Sequence, residues 1–250
     1  MTDFSYQLYS SRNWDLSETL KLVGGLGYKY VEGYGGLYAN LDAIDALKAD
    51  LENNGLRMTT GHVGFDMLEG EVDRVLTFTK ALGMEAVFVP APPTEDYRTG
   101  KGDWSDLAAR IAEAAKPYLD AGLTFGYHNH HWEWDVQPDG RSAMDMILEG
   151  DGVQLEFDVA WGVRAGQDVL KRIDGFGQKI VAAHVKDIAP EGECADEDGW
   201  ADAGTGVMDW PAIMAALKAK TACKTFVMEH DNPSDHARFA RRSIENARKF

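Results

Sequence analysis

Imidazoles and carboxylates in this chain gather where short apolar runs end. His184 closes Val181-Ala182-Ala183, Glu229 closes Phe226-Val227-Met228, and Asp158 closes Leu155-Glu156-Phe157. Residues 126–134 read GYHNHHWEW and hold three of the seven histidines, one acid and two tryptophans. A charge at the end of a buried run must be paired, hydrogen-bonded or liganded, because burying it alone is costly. Imidazole and carboxylate donors that converge from separate segments suit a divalent ion, with Mn²⁺, Co²⁺ and Zn²⁺ favoured and Mg²⁺ a harder alternative. The candidate ligands are Asp158, His184, Glu229 and one of His128 and His130, which share a parity and so face one side of an extended strand. A hydrogen-bonded cluster without an ion satisfies the same demand, and spacing does not separate the two.

Side chains so far apart in sequence converge only if repeated elements carry them. Short β-like runs at 6–9, 28–32, 57–62, 86–90, 124–130, 154–158, 180–185 and 225–229 alternate with helical patterns. Leu16, Leu20 and Val23 recur on one helical face, with Asp15 or Ser17 as its cap. Leu41, Ile44, Leu47 and Leu51 form another face, and Leu107, Ile111, Ala114 and Tyr118 a third, which Pro117 should kink or end near its last turn. A final helix from about 234 packs Phe239, Ile244 and Ala247. Gly27, Gly55, Gly83 and Gly122 follow helices where a left-handed cap is wanted. Eight strand–helix units in 250 residues predict a (β/α)₈ TIM barrel, an α/β fold occupying 1–250 as one domain. The rival, a doubly wound sheet, lacks its G-x-G-x-x-G after the first strand.

Such a barrel keeps its chemistry at the C-terminal ends of its strands. Those ends carry Glu32, His62, His128, His130, Glu133, Asp158, Trp161, His184, Lys186, Glu229 and His230. Glu32, His62, Trp161 and His230 are candidate substrate contacts, with Trp161 as a pocket wall and Trp134 as packing. If His128 binds the ion, His130 joins Glu229, Glu133 and Lys186 as a candidate for proton transfer. Lys186 could instead pair with Asp187, and Glu156 could belong to an inner polar layer. The acidic, glycine-rich segment 189–209 is too long for a connector. It is expected to act as a mobile flap, with Gly204 and Gly206 baring backbone amides to a substrate oxygen.

Composition narrows the function classes. The net charge of −16, from 41 acidic and 25 basic residues, disfavours nucleic acid and anionic membranes as partners. No run approaches the ~18 apolar residues of a membrane span. The N-terminal residues lack the basic and apolar regions of a signal peptide, and Cys194 and Cys223 form no disulfide framework. A reducing cytoplasm is the expected compartment, and a homo-oligomer the expected state.

The runs YHNHHWEW, LEFDVAW, AAHVKDI, AGTGVMDW and VMEHD occur in that order from residue 127 onward. Together they resemble the sugar phosphate isomerase/epimerase superfamily of xylose isomerase-like barrels. The resemblance implies a divalent metal held by an acid after the fifth strand, an Asp after the sixth, a His after the seventh and a Glu after the eighth. Asp158, His184 and Glu229 match the last three. The fifth strand departs, with HNH where epimerases of the superfamily carry a glutamate. The Tyr-His-Asn-His variant resembles enzymes acting on keto-sugars, keto-glycosides and inositol derivatives. The expected reaction is proton abstraction beside a carbonyl of a sugar or polyol derivative, leading to isomerisation or epimerisation. The alternatives are a keto-glycoside lyase, hydrolase or dehydratase on the same scaffold, an endonuclease IV-like phosphodiesterase, or a carbohydrate-binding barrel without catalysis.

Overall fold

The computed structural model describes residues 2–137 and 139–250. Among these described residues ten strands follow in chain order: β1 (Phe4–Gln7), β2 (Tyr30–Gly33), β3 (Arg57–His62), β4 (Ala86–Val89), β5 (Thr124–His128), β6 (Gln154–Asp158), β7 (Ile180–Val185), β8 (Asp187–Ile188), β9 (Trp200–Ala201) and β10 (Thr225–Met228). All but β8 and β9 close into one parallel barrel, in the order β1-β10-β7-β6-β5-β4-β3-β2. Closure leaves the barrel no unpaired edge. β8 and β9 form a separate antiparallel pair above the mouth, Asp187 facing Ala201 and Ile188 facing Trp200.

The helices form where apolar periodicity and caps predict them. Asp15, not Ser17, caps Leu16–Leu26 by accepting from the Glu18 amide at 2.9 Å. Trp104–Asp120 buries Leu107, Ile111, Ala114 and Tyr118, and its Pro117 lies in the last turn. Gly27, Gly55, Gly83 and Gly122 all take positive φ at helix ends. Leu41 leaves the expected face: it sits in a short 3-10 turn ahead of Ile44–Asn53 and is exposed.

Two strands end two residues earlier than the apolar pattern suggests. The first spans Phe4–Gln7 rather than 6–9, because the Gln7 side chain accepts from the Tyr9 amide and winds Leu8–Ser11 into a 3-10 turn. The fifth stops at His128 rather than 130. There the Asn129 side chain takes over the ladder, donating to the Asp158 carbonyl at 3.0 Å and accepting from the Asp158 amide at 3.0 Å. The main apolar core lies between strands and helices, whereas Ala86, Phe88 and Ala182 form a small separate cluster. Strand register sets Gln7 beside Glu32, His128 beside Glu156, and Asp158 beside His184. The chain thereby stacks a polar layer toward the C-terminal end of its barrel.

The segment 189–209 is not loosely held. Trp200 and Ala203 are fully buried. Glu197 accepts two bonds from Arg238 at 2.9 Å each, and Asp202 accepts from Arg238 and Arg242 at 3.1–3.2 Å. Arg238 and Arg242 lie on the last helix, His236–Ala247. The expectation that Gly204 and Gly206 bare their amides is corrected. Both amides donate to Asp187, at 2.9 and 3.1 Å, and Met208 adds a third at 3.2 Å. A Cβ at Gly206 would stand 2.1 Å from the Ile188 carbonyl oxygen, so this glycine permits a close backbone approach rather than a hinge.

Candidate active site

The polar layer is built from imidazoles held between carboxylates. His184 bridges two acids, with Nδ1 2.8 Å from Glu229 Oε2 and Nε2 2.8 Å from Glu32 Oε1. Gln7 donates to that same Glu32 oxygen at 2.8 Å. His128 also faces two ways, with Nδ1 3.2 Å from Glu156 Oε2 and Nε2 3.9 Å from Asp158 Oδ2. His62 Nε2 lies 2.6 Å from Glu156 Oε2. Glu32, Glu156, Asp158 and His184 are all fully buried. Glu156 thus takes the inner-layer place that its parity allows.

Charge balance decides the protonation of this layer. Burial works against an ionised Glu229, but Lys186 and His184 overcome it and hold its pKa well below the usual range. Burial likewise opposes a charged His184, yet Glu156 and Glu229 outweigh it and raise that imidazole well above its ordinary value. His128 is pushed down to about 3 by burial and by neighbouring His184. Burial lifts Asp158 to about 6 against the pull of Lys186 and His184.

Lys186 is fully buried, with Nζ 2.6 Å from Asp231, 3.1 Å from Glu229 and 3.5 Å from Asp158. Burial disfavours its charge, but Asp231, Glu229 and Asp158 together keep it an ammonium. Its Nζ also lies 4.4 Å from the Trp200 ring centre and 5.2 Å from that of Trp161. The alternative pairing with Asp187 does not form, because Asp187 is spent on the amides of Ile188, Gly204, Gly206 and Met208.

His128, Asp158, His184 and Glu229, from four adjacent strands, offer ligand atoms within 4.8 Å of one another. Donors around an ion with bonds of ~2.0–2.2 Å lie at separations of this order. Asp158 Oδ2 is buried without a hydrogen-bond partner, as an acceptor reserved for a cation would be. Two imidazoles and two carboxylates are the donor set of Zn²⁺, Mn²⁺ or Co²⁺ sites. These residues therefore fit a divalent ion. Of the two fifth-strand histidines, His128 joins the group and His130 does not.

A cavity of about 360 Å³ opens over this group, lined by His62, His128, His130 and Glu229 with Asp231, Arg98, Trp132, Tyr9 and Tyr34. Its size suits a small ligand. His130 stacks on Trp132 at 4.5 Å between ring centres, and Arg98 lies 4.7 Å over the same indole. Another cavity, of about 310 Å³ at the N-terminal strand ends, is lined by Thr59, Thr124 and Lys224 and holds no imidazole.

Besides Asp158, His184 and Lys186, four candidates do not line the cavity. Glu133 is buried with its oxygens on the Tyr127 hydroxyl at 2.9 Å and the His130 amide at 2.8 Å, so it orients His130 from behind. His230 accepts from the Asn232 amide and faces Glu197 at 3.2 Å, which places it in the anchorage of segment 189–209. Glu32 lies in the inner layer beneath His184. Trp161 packs on Lys186 and Trp200 instead of facing the cavity, and the indole in the wall is Trp132. Trp134 is packing, against Phe157 and Phe176. Sequence reasoning missed Gln7, Tyr9, Tyr34, Arg98 and Asp231. Asp231 alone carried a signal, as one more acid in VMEHD beside a lysine needing counter-charge.

Residues 20–250 match the family described as xylose isomerase-like TIM barrel. A rhizopine catabolism protein, MocC, of Rhizobium meliloti is 25% identical over 243 residues, covering 85% of this chain and 73% of that one. A sugar phosphate isomerase/epimerase from Parabacteroides distasonis superposes with a TM-score of 0.79 at 19% identity, over 98% of this chain and 94% of that one. The IolI protein, solved with a zinc atom bound, superposes with a TM-score of 0.69 at 19% identity, over 99% and 96%.

Proposed function

The chain belongs to the xylose isomerase-like TIM barrel family, and within it we propose a metal-assisted isomerase or epimerase acting on a sugar, keto-sugar or inositol derivative. The observation that carries this is the convergence of His128, Asp158, His184 and Glu229 within 4.8 Å beneath a cavity of ligand size. Those four would hold the ion. When bound, a divalent ion supplies Lewis-acid polarisation of a substrate carbonyl or hydroxyl pair. The names of the sugar isomerase/epimerase and of the zinc-containing IolI protein support the same chemistry.

The protein's own side chains supply the proton movement. Without an ion, Glu229 is kept ionised by Lys186 and His184, which both engage Oε2, and a bound divalent cation would keep it ionised in their place. A carboxylate has two oxygens, so the other is left to meet a substrate proton. An ionised carboxylate beside a polarised carbonyl abstracts the neighbouring carbon's proton and leaves an enediolate. His130 is held neutral by burial, with His128 and Lys186 adding to the effect, and so is able to accept a hydrogen bond from a substrate hydroxyl. Arg98, beside Trp132 in the cavity wall, donates to ring oxygens. Return of the proton to the other carbon isomerises the substrate, and return to the opposite face epimerises it. Loss of a β-substituent instead gives elimination, the lyase or dehydratase alternative.

The test is metal analysis of the purified protein, then turnover of a keto-sugar and inosose panel before and after chelation. About one divalent ion per chain and turnover restored by Mn²⁺, Co²⁺ or Zn²⁺ are expected. A metal-free protein with unchanged turnover overturns the proposal. Product analysis by NMR in D₂O separates deuterium incorporation with retained carbon skeleton from elimination.

A further inference from the structure

We infer that Lys186 is a resident competitor of the metal: its ammonium shares Asp158 and Glu229 with the ion, and Asp231 is the carboxylate to which it withdraws when the ion binds. The inference rests on the metal reading above. Lys186 touches three carboxylates, two of which, Asp158 and Glu229, belong to the proposed ligand group. The third, Asp231, stands outside that group and is the nearest, at 2.6 Å. The ammonium is fully buried, and Trp161 and Trp200 flank it. Asp187, its chain neighbour, is committed to the amides of Gly204, Gly206 and Met208 and cannot receive it. Asp231 Oδ2 is buried with no hydrogen-bond partner and pairs with Lys186, so it has capacity to take the ammonium fully.

The physical consequence has two parts. An ammonium between Asp158 and Glu229 offsets the repulsion of two buried carboxylates and keeps the ligand oxygens gathered. The same charge opposes an incoming divalent ion, since like charges a few ångströms apart repel strongly in a buried site. Lys186 therefore preforms the site while lowering its affinity, and Asp231 limits that penalty by drawing the ammonium aside.

Titrating the full-length, chelator-stripped protein with MnCl₂ and ZnCl₂ by calorimetry tests this. Lys186→Met is expected to bind the ion at least tenfold tighter than wild type, and Asp231→Asn at least tenfold weaker. In the Lys186→Met background, Asp231→Asn should change affinity much less, because the group it steers is gone. Thermal unfolding gives a readout independent of turnover: Lys186→Met should lower Tm in EDTA and widen the gap between the chelated and ion-loaded forms. Lys186→Gln, closer in polarity, serves if the methionine variant does not fold. Folded Lys186 variants with wild-type or weaker affinity overturn the inference while leaving the metal reading in place. If neither wild type nor the Lys186 variants take up an ion, the metal reading falls and this inference falls with it.

Discussion

Glu229 and Glu133 show how two carboxylates given similar roles by sequence come to differ. Glu229 has a charged lysine and a histidine on one oxygen, whereas Glu133 has only the Tyr127 hydroxyl and the His130 amide. Glu229→Ala should abolish metal uptake and reduce turnover by at least 10³-fold, as expected for loss of both a ligand and a base. Full activity in that variant would refute the site assignment. Glu133 is pushed up to about 7, chiefly by burial, from an ordinary value of 4.5. Its folded-state pKa is raised, so its contribution is fully present below about pH 4.5 and is lost as pH rises to about 7. The loss amounts to about 3 kcal/mol at most, at ~1.4 kcal/mol per pH unit. Glu133→Gln should flatten denaturant-measured stability across that window. An unchanged pH profile would show that Glu133 does not titrate there.

At the scale of elements, β8 and β9 and the segment between them behave as a fastened cover. Glu197 and Asp202 are buried acids whose cationic partners, Arg238 and Arg242, come from the last helix. Arg238→Ala leaves Glu197 with its Ser234 contacts but no cation. The cost should be about 2 kcal/mol, less than for a wholly buried pair because Arg238 is partly exposed. Hydrogen exchange of residues 197–203 should accelerate in that variant more than exchange of the barrel strands. Uniform acceleration across the chain would mean that the cover and barrel open as one unit. Gly206 was expected to bare its amide to substrate, but it is there because a side chain would strike Ile188 and Asp187. Gly206→Ala should therefore lower stability as well as turnover.

Across the whole molecule, the charge of −16 sets what the surface attracts. Among the described residues no helix is long and apolar enough to cross a membrane. The acidic balance predicts no binding to duplex DNA at physiological salt. Salt-sensitive, nanomolar binding to an abasic duplex would contradict this and revive the phosphodiesterase alternative. The barrel architecture is also what makes the site possible, since parallel closure sets the ends of β5, β6, β7 and β10 around one mouth.

The barrel, and the strand-end placement of the residues that converge at its mouth, are legible in the chain. Apolar runs with polar ends repeat along the chain, and His128, Asp158, His184 and Glu229 each sit within one residue of a strand end. Strand parity and length are local properties, so they can be read without knowing the neighbours. The rest depends on contacts made only once the chain has folded. Whether His128 or His130 reaches the group depended on where β5 stops, and Asn129 settles that by bonding to Asp158 on the next strand. Glu133 and His230 have the right chemistry but face Tyr127 and Glu197, partners set by packing across the fold. Tyr9, Tyr34 and Arg98 reach the cavity from short segments beyond β1, β2 and β4, where no periodicity marks direction. A residue's type and spacing are written in the chain, but which neighbour a side chain meets is fixed only when the barrel closes.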